Sequence, residues 1–215
     1  MTDTPSPERI IAEFWQKRSK LARPDAARYH AEHTEFDCQF VRSFCTPGTR
    51  VLDLGCGTLT LANWLVETCG AHVHAVDSQA NFLKSAVAHP ALTTECADLV
   101  TYQPSGQSDV ILLFGVIQHI IDVEARQALY TKLSKGIAPD GHILIKSQFG
   151  VEGPVEVNHF STELGSPYYS LYPGLKDEIA LLSRWFDVTA HDIYPREFSP
   201  YPNTRFMHLS CRMKR

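Results

Sequence analysis

With 215 residues, the chain has room for one domain, or for one domain carrying an insertion. Its composition, 44% hydrophobic and 20% charged, is that of an ordinary globule, and no apolar run approaches the ~18 residues of a membrane span. The net charge is −4, and basic residues cluster only in the tail, at Arg212, Lys214 and Arg215, so no nucleic-acid partner is expected.

The opening M-T-D-T-P-S-P-E has neither the basic nor the apolar segment of a signal peptide. Six cysteines at irregular spacing, with no C-x-x-C, read as reduced thiols, so a cytoplasmic location is expected. Ser6-Pro7-Glu8 predicts a helix start, with proline in the first turn. Ile10, Ile11, Phe14 and Trp15 continue it at helical spacing, and Arg23-Pro24 interrupts it. A second helix is expected from Asp25 to Phe44, with Phe36, Phe40, Val41 and Phe44 on one face, ended by Thr46-Pro47-Gly48. Residues 1–47 are therefore expected to form a helical cap ahead of an α/β unit over 48–215.

Alternating strands and helices follow. Arg50–Leu54 reads as the first strand and Leu59–Cys69 as a helix that Gly70 closes. His72–Val76 is the second strand, Gln79–His89 a helix stopped by Pro90, and Thr93–Cys96 a short third strand. Asp109–Phe114, almost unbroken apolar, suits a central parallel strand. Asp122 caps a helix carrying Leu129, Leu133 and Ile137, and Pro139-Asp140-Gly141 reads as a turn. His142–Phe149 is the fifth strand. Residues Gly150 to Gly174 read as an irregular, aromatic loop. Leu175–Phe186 is a helix, and Asp187–Tyr194 and Thr204–Met213 are the last two strands. The predicted fold is α/β: a doubly wound seven-stranded sheet, mostly parallel, with the last strand antiparallel because its connection is too short for a crossover helix.

The most informative stretch is Val51–Thr60, V-L-D-L-G-C-G-T-L-T. A strand runs into two glycines, and glycine lets the backbone approach a ligand that a Cβ would push away. Asp77 closes the next strand twenty positions after Gly57, where nucleotide-binding α/β sheets hold ribose hydroxyls. This pattern resembles the first motif of class I S-adenosylmethionine-dependent methyltransferases, acidic-x-Gly-x-Gly-x-Gly followed by an acidic residue after the second strand. Asp53, Gly55, Gly57 and Asp77 match, and Leu59 replaces the third glycine, a position read as serving close helix packing.

The resemblance implies S-adenosylmethionine as cofactor and S-adenosylhomocysteine as product. It assigns the backbone at Gly55, Cys56 and Gly57 to the methionine part, Asp77 to the ribose, and Ser78 to the cofactor site. Asp98 and Leu99 are assigned to adenine, and Phe114 and Gly115 to the methionine amino group. Phe82 reads as core. Without the resemblance, Asp77 reads as a helix cap and Asp98 as a loop residue. No metal-ligand set stands out: His30 and His33 read as surface histidines.

For the transfer itself, His119 is the expected general base, since imidazole titrates near neutrality; the bland alternative is a loop support. Long irregular loops are often functional, so 150–174 is expected to cover a substrate through His159, Tyr168, Tyr169 and Tyr172. Trp15, Arg18, Tyr29 and His33 would close the other side. The loop Phe114-Gly115-Val116-Ile117 lacks the Asp/Asn/Ser-Pro-Pro-aromatic motif of exocyclic-amine methylases. Where ribose 2′-O methylases, which share a lysine like Lys146, end the fourth strand on an acidic residue, this chain has Phe114. The expected function is methyl transfer to an oxygen, or a nitrogen, of a small-molecule acceptor such as a sugar or natural-product intermediate. The alternatives are an RNA or protein methyltransferase working with a partner, and a non-catalytic regulatory subunit.

Overall fold

Val51 faces one side of the first strand, Leu52 and Leu54 the other, and all are buried. A strand covered on both faces belongs in the middle of a sheet, and it lies there in the computed structural model, which describes residues 5–22, 24 and 31–214. The N-terminal helices are α1 (Pro7–Ser19) and α2 (Ala31–Arg42). They are followed by β1 (Arg50–Leu54), α3 (Thr60–Trp64), β2 (His72–Asp77), β3 (Leu92–Cys96), β4 (Ser108–Phe114), α4 (Val123–Gly136) and β5 (Ile137–Gly150). Then come β6 (Val155–Ser161), β7 (Ser166–Tyr172), α5 (Leu175–Leu182), β8 (Phe186–His191) and β9 (Thr204–Met213).

One seven-stranded sheet has the order β3-β2-β1-β4-β5-β9-β8. Strands β1 to β5 pair in parallel, and β9 runs antiparallel to both β5 and β8, as expected. The order reverses between β1 and β4, which opens a crevice beyond their carboxyl ends. Alternate residues of β4 enter opposite layers. Ile111 and Leu113 pack with Leu129 and Leu133 of α4 and Leu182 of α5. Val110 and Leu112 pack with Val41 of α2, Ala62 of α3 and Leu65.

Several elements differ from their sequence-based boundaries. The helix after the glycine turn begins as α3 and widens into a π-type turn, Leu65–Cys69, before the left-handed Gly70. The helix expected at Gln79–His89 is only a 3-10 turn, Phe82–Ser85. Asn63 competes for that segment: its Nδ2 donates to Ser85 O at 2.9 Å and its Oδ1 accepts from Val87 N–H at 3.1 Å, taking backbone groups a helix would need. Pro139-Asp140-Gly141 is an excursion within β5, whose register on β4 jumps from Ser108↔Ile137 to Val110↔His142. Helix α5 stops at Leu182, because Phe186 already enters the sheet; β8 ends at His191. Arg23 and residues 25–30, including the start of the second predicted helix, Tyr29 and His30, lie outside the described residues.

The segment 150–174 is a hairpin, not an irregular loop: β6 and β7 pair antiparallel from Val155↔Tyr172 to Ser161↔Ser166. Gly150 starts it, and a Cβ there would lie 1.7 Å from Gly153 O, so only glycine fits this crossing. Ser166, Tyr168, Ser170 and Tyr172 are buried, and Phe14 of α1 packs edge-on to Tyr168 with ring centroids 4.8 Å apart. Lys17 Nζ donates to Ser166 Oγ at 3.2 Å and Arg18 Nη1 pairs with Glu163 at 3.0 Å. Helix α1 and the hairpin thus form one body.

Candidate active site

The turn after β1 is shaped by close approach. Gly55 has φ +74°, and a Cβ there would sit 2.4 Å from Val116 Cγ2. The N–H groups of Gly55 and Cys56 both donate to Val76 O, at 2.8 and 3.1 Å. Gly57 N–H donates to Asp77 Oδ2 at 2.9 Å, and Gln79 N–H donates to Asp77 Oδ1 at 2.8 Å. Each Asp77 oxygen keeps acceptor capacity for a ligand hydroxyl. Leu59, in the third glycine position, has φ 62° and ψ 18° and is fully buried. That position therefore needs a left-handed backbone, which is what a glycine supplies there, and not helix packing alone.

Asp53 lies beneath this turn. Burial pushes its pKa up to about 7, and the neighbouring Asp77 carboxylate adds to the rise. Burial also raises Asp77, against the two backbone N–H bonds. Two carboxylates at the glycine turn suit a cationic ligand and repel a diphosphate. Asp98 is exposed and accepts Val100 N–H at 2.8 Å; Leu99 lies against Gly55. Ser78 is exposed and accepts a bond from Gln79 at 3.1 Å.

A cavity of about 720 Å³ extends from this turn across the carboxyl ends of β4 and β5. It brings together Asp53, Gly55, Cys56, Gly57, Asp77, Ser78, Asp98, Leu99, Phe114, Gly115 and His119. Phe82, expected in the core, is buried and also lines the cavity. Of the four hairpin residues named from sequence, Tyr168 and Tyr172 reach the wall; His159 and Tyr169 do not. His159 is exposed and packs on the Tyr168 ring at 5.0 Å. Of the N-terminal residues, Trp15 lines the cavity and Arg18 turns to Glu163. His33 is not a surface histidine: it is buried and stacked on Phe198, with ring centroids 4.5 Å apart.

His119 stands in a short 3-10 turn after β4, its ring edge-on to Trp15 at 5.1 Å. Gln118 orders this turn. Its Nε2 donates to Gly115 O at 2.8 Å, and Ser147 Oγ donates to its Oε1 at 3.1 Å. The amide orientation that satisfies both leaves Nε2 facing His119 Nε2 at 3.4 Å. From the far side, Arg126 Nη1 donates to Ile120 O at 2.8 Å while its Nε meets both oxygens of buried Glu178 at 3.2 Å. Tyr130 OH donates to the same carboxylate at 2.5 Å.

Sequence reasoning did not bring Asp37 to the site at all, and named Lys146 only in a comparison. Lys146 Nζ meets Asp37 Oδ2 at 2.6 Å, joining the end of β5 to α2. Asp37 Oδ1 accepts from His208 Nε2 at 2.9 Å and from Tyr194 OH. Burial works to raise the Asp37 pKa, but Lys146 and His208 outweigh it, and the carboxyl is held below its ordinary value. Burial keeps His208 low and therefore neutral, and burial raises the Tyr194 phenol. Asp37 and Lys146 line the cavity.

Strand order, glycine turn and paired carboxylates define a doubly wound, Rossmann-like protein with a ligand site at the switch point. Residues 51–141 match the family model described as a methyltransferase domain. In this segment and in its fold the chain is similar to the class I S-adenosylmethionine-dependent methyltransferases. It is 33% identical over 128 residues to a ubiquinone biosynthesis O-methyltransferase of Bradyrhizobium diazoefficiens, covering 54% of this chain and 50% of that protein. It is 29% identical over 161 residues to phosphoethanolamine N-methyltransferase 2 of Caenorhabditis elegans, covering 70% of this chain and 35% of the relative. The chain thus spans half or less of the length of these two relatives. Among solved structures, the DhpI–SAH complex superimposes with a TM-score of 0.73 at 18% identity, covering 95% of this chain and 97% of that one.

Proposed function

We propose that the protein transfers a methyl group from S-adenosylmethionine to an oxygen, or a nitrogen, of a small-molecule acceptor. The observation that carries this reading is the shared cavity. One end is the glycine turn with Asp53 and Asp77, and the other is an aromatic wall with His119. The residues present fit the cofactor: Asp77 keeps lone pairs for ribose hydroxyls, the Gly55 cradle admits no side chain, and the two carboxylates favour a cation. Bound there, S-adenosylmethionine supplies an electrophilic methyl group. The chain's own part is positioning and exclusion of water, which alone account for a large share of such rates. Trp15, Tyr168 and Tyr172 cover the site. His119, on the same cavity wall, takes the acceptor's proton in an O-directed reaction.

The relatives act in the same sense. One is an O-methyltransferase of ubiquinone biosynthesis and the other an N-methyltransferase of phosphoethanolamine. Small-molecule partners and a cytoplasmic setting fit this reading, and no helix among the described residues is long and apolar enough to cross a membrane. Leu59, in the third glycine position, keeps the left-handed turn a glycine would make.

The test is calorimetric titration with S-adenosylmethionine and S-adenosylhomocysteine, then turnover of a small-metabolite panel by wild type and His119→Ala. Binding of both ligands, with turnover lost and cofactor affinity kept in the variant, is expected. A folded protein that binds neither ligand overturns the proposal.

A further inference from the structure

The Lys146 ammonium is buried, with its residue 8% exposed, yet it stands on the cavity wall. An ammonium has three donors and no acceptor. Among the described residues, one of those donors is used, on Asp37 Oδ2. The rings of Phe114, Tyr194 and Phe206 surround Nζ at 5.9 to 6.0 Å, and rings accept no ordinary hydrogen bond from it. Two donors of a desolvated cation are therefore left for whatever enters the cavity.

The charge balance points the same way. Asp37 does not belong to Lys146 alone, because His208 and Tyr194 both donate to its other oxygen. That sharing disperses the carboxylate charge away from the ammonium. Lys146 is thus held in place by an anion that neutralises it incompletely. Burying a cation with unused donors is costly unless an oxygen meets them. A charge-assisted bond to an anionic oxygen is the strongest way to do so.

We propose that Lys146 binds an oxyanion of the acceptor, a carboxylate or a phosphate-type group, and that Asp37 positions it. This inference rests on the methyltransferase reading of the same cavity and names the acceptor class. The acceptor is an anion with an apolar or aromatic body. Its charged end sits beside Phe114 and Phe206, and its reactive end points to the His119 side. The carboxylates Asp53 and Asp77 occupy the turn at the cofactor end, so the two ends select opposite charges.

The experiment is calorimetric titration of the full chain, saturated with S-adenosylhomocysteine, with benzoate, phenylphosphonate and the neutral isostere benzamide. At least one anion is expected to bind wild type on the order of tenfold more tightly than benzamide, a preference Lys146→Met removes. Asp37→Asn, which leaves the ammonium without its competing anion, is expected to bind that anion more tightly than wild type. A merely structural pair would not give that sign. Wild type with no preference for either anion, or an Asp37→Asn protein with unchanged or weaker anion binding, overturns the proposal. Wild type that fails to take up S-adenosylhomocysteine counts instead against the methyltransferase reading. S-adenosylhomocysteine binding by each variant reports that it has folded.

Discussion

Gly57 and Asp77 are joined by a 2.9 Å hydrogen bond that ties the turn after β1 to the end of β2. Asp77 holds the loop through this bond and also lines the cavity. Asp77→Ala is therefore expected to weaken S-adenosylmethionine binding by more than about tenfold, since a hydrogen bond to a charged group contributes about 1.5–3 kcal/mol. Calorimetry decides, and unchanged affinity removes Asp77 from the site.

Asp53 couples the site to pH. Its carboxyl titrates at about 7 in the folded protein against an ordinary 3.8. Between those values the folded state keeps a proton that the unfolded state has released, so stability falls as pH rises through that window. Above it the full cost remains, a few kcal/mol at about 1.4 per pKa unit. Asp53→Asn is expected to raise the melting temperature of the ligand-free protein near pH 8 and to lose that advantage near pH 4. Thermal unfolding at both pH values is the measurement; an equal gain at both shows that buried charge is not the cause.

Leu59 sets strain against packing. A left-handed non-glycine residue costs roughly 1–2 kcal/mol, whereas deleting a buried leucine side chain costs roughly 2–5 kcal/mol. At the middle of both ranges packing wins, so Leu59→Gly is expected to lower unfolding stability by about 2 kcal/mol in urea titrations, although it restores the third glycine. A variant as stable as wild type means that strain dominates.

Glu178 and Arg126 form a buried pair that reaches the His119 turn through the Ile120 carbonyl. Removing one partner of such a pair strands a charge and typically costs about 3–5 kcal/mol. Glu178→Gln is expected to lose stability on that scale and to lower turnover with little change in cofactor affinity. A variant with wild-type melting and turnover means that the pair neither stabilises the fold nor holds the turn.

The parts legible in the sequence were those whose information is local. The strand-to-turn transition at Leu54-Gly55 and the cap at Asp122 are written in adjacent residues, and Asp122 does accept Glu124 N–H at 2.9 Å. The Gln79–His89 segment looked helical because the amide of Asn63, which holds it open, comes from another element. The hairpin hid its period because the inward face of β7 is Ser166, Tyr168, Ser170 and Tyr172, polar in composition though buried. The Lys146–Asp37 pair spans 109 positions, beyond any spacing rule. His208 gave no signal, since its role depends on the β5–β9 register that sets it opposite Lys146.

The union of α1 with the β6–β7 hairpin has a consequence for how such a protein diversifies. Part of the cavity wall is supplied by two segments outside the seven-stranded sheet, and they touch each other through Phe14–Tyr168, Lys17–Ser166 and Arg18–Glu163. Exchanging the hairpin alone sets foreign side chains against an unmatched helix, whereas exchanging both together leaves the glycine turn untouched. The two stretches, far apart in sequence, thus form a matched pair, and replacing either one alone breaks the contacts that hold the other.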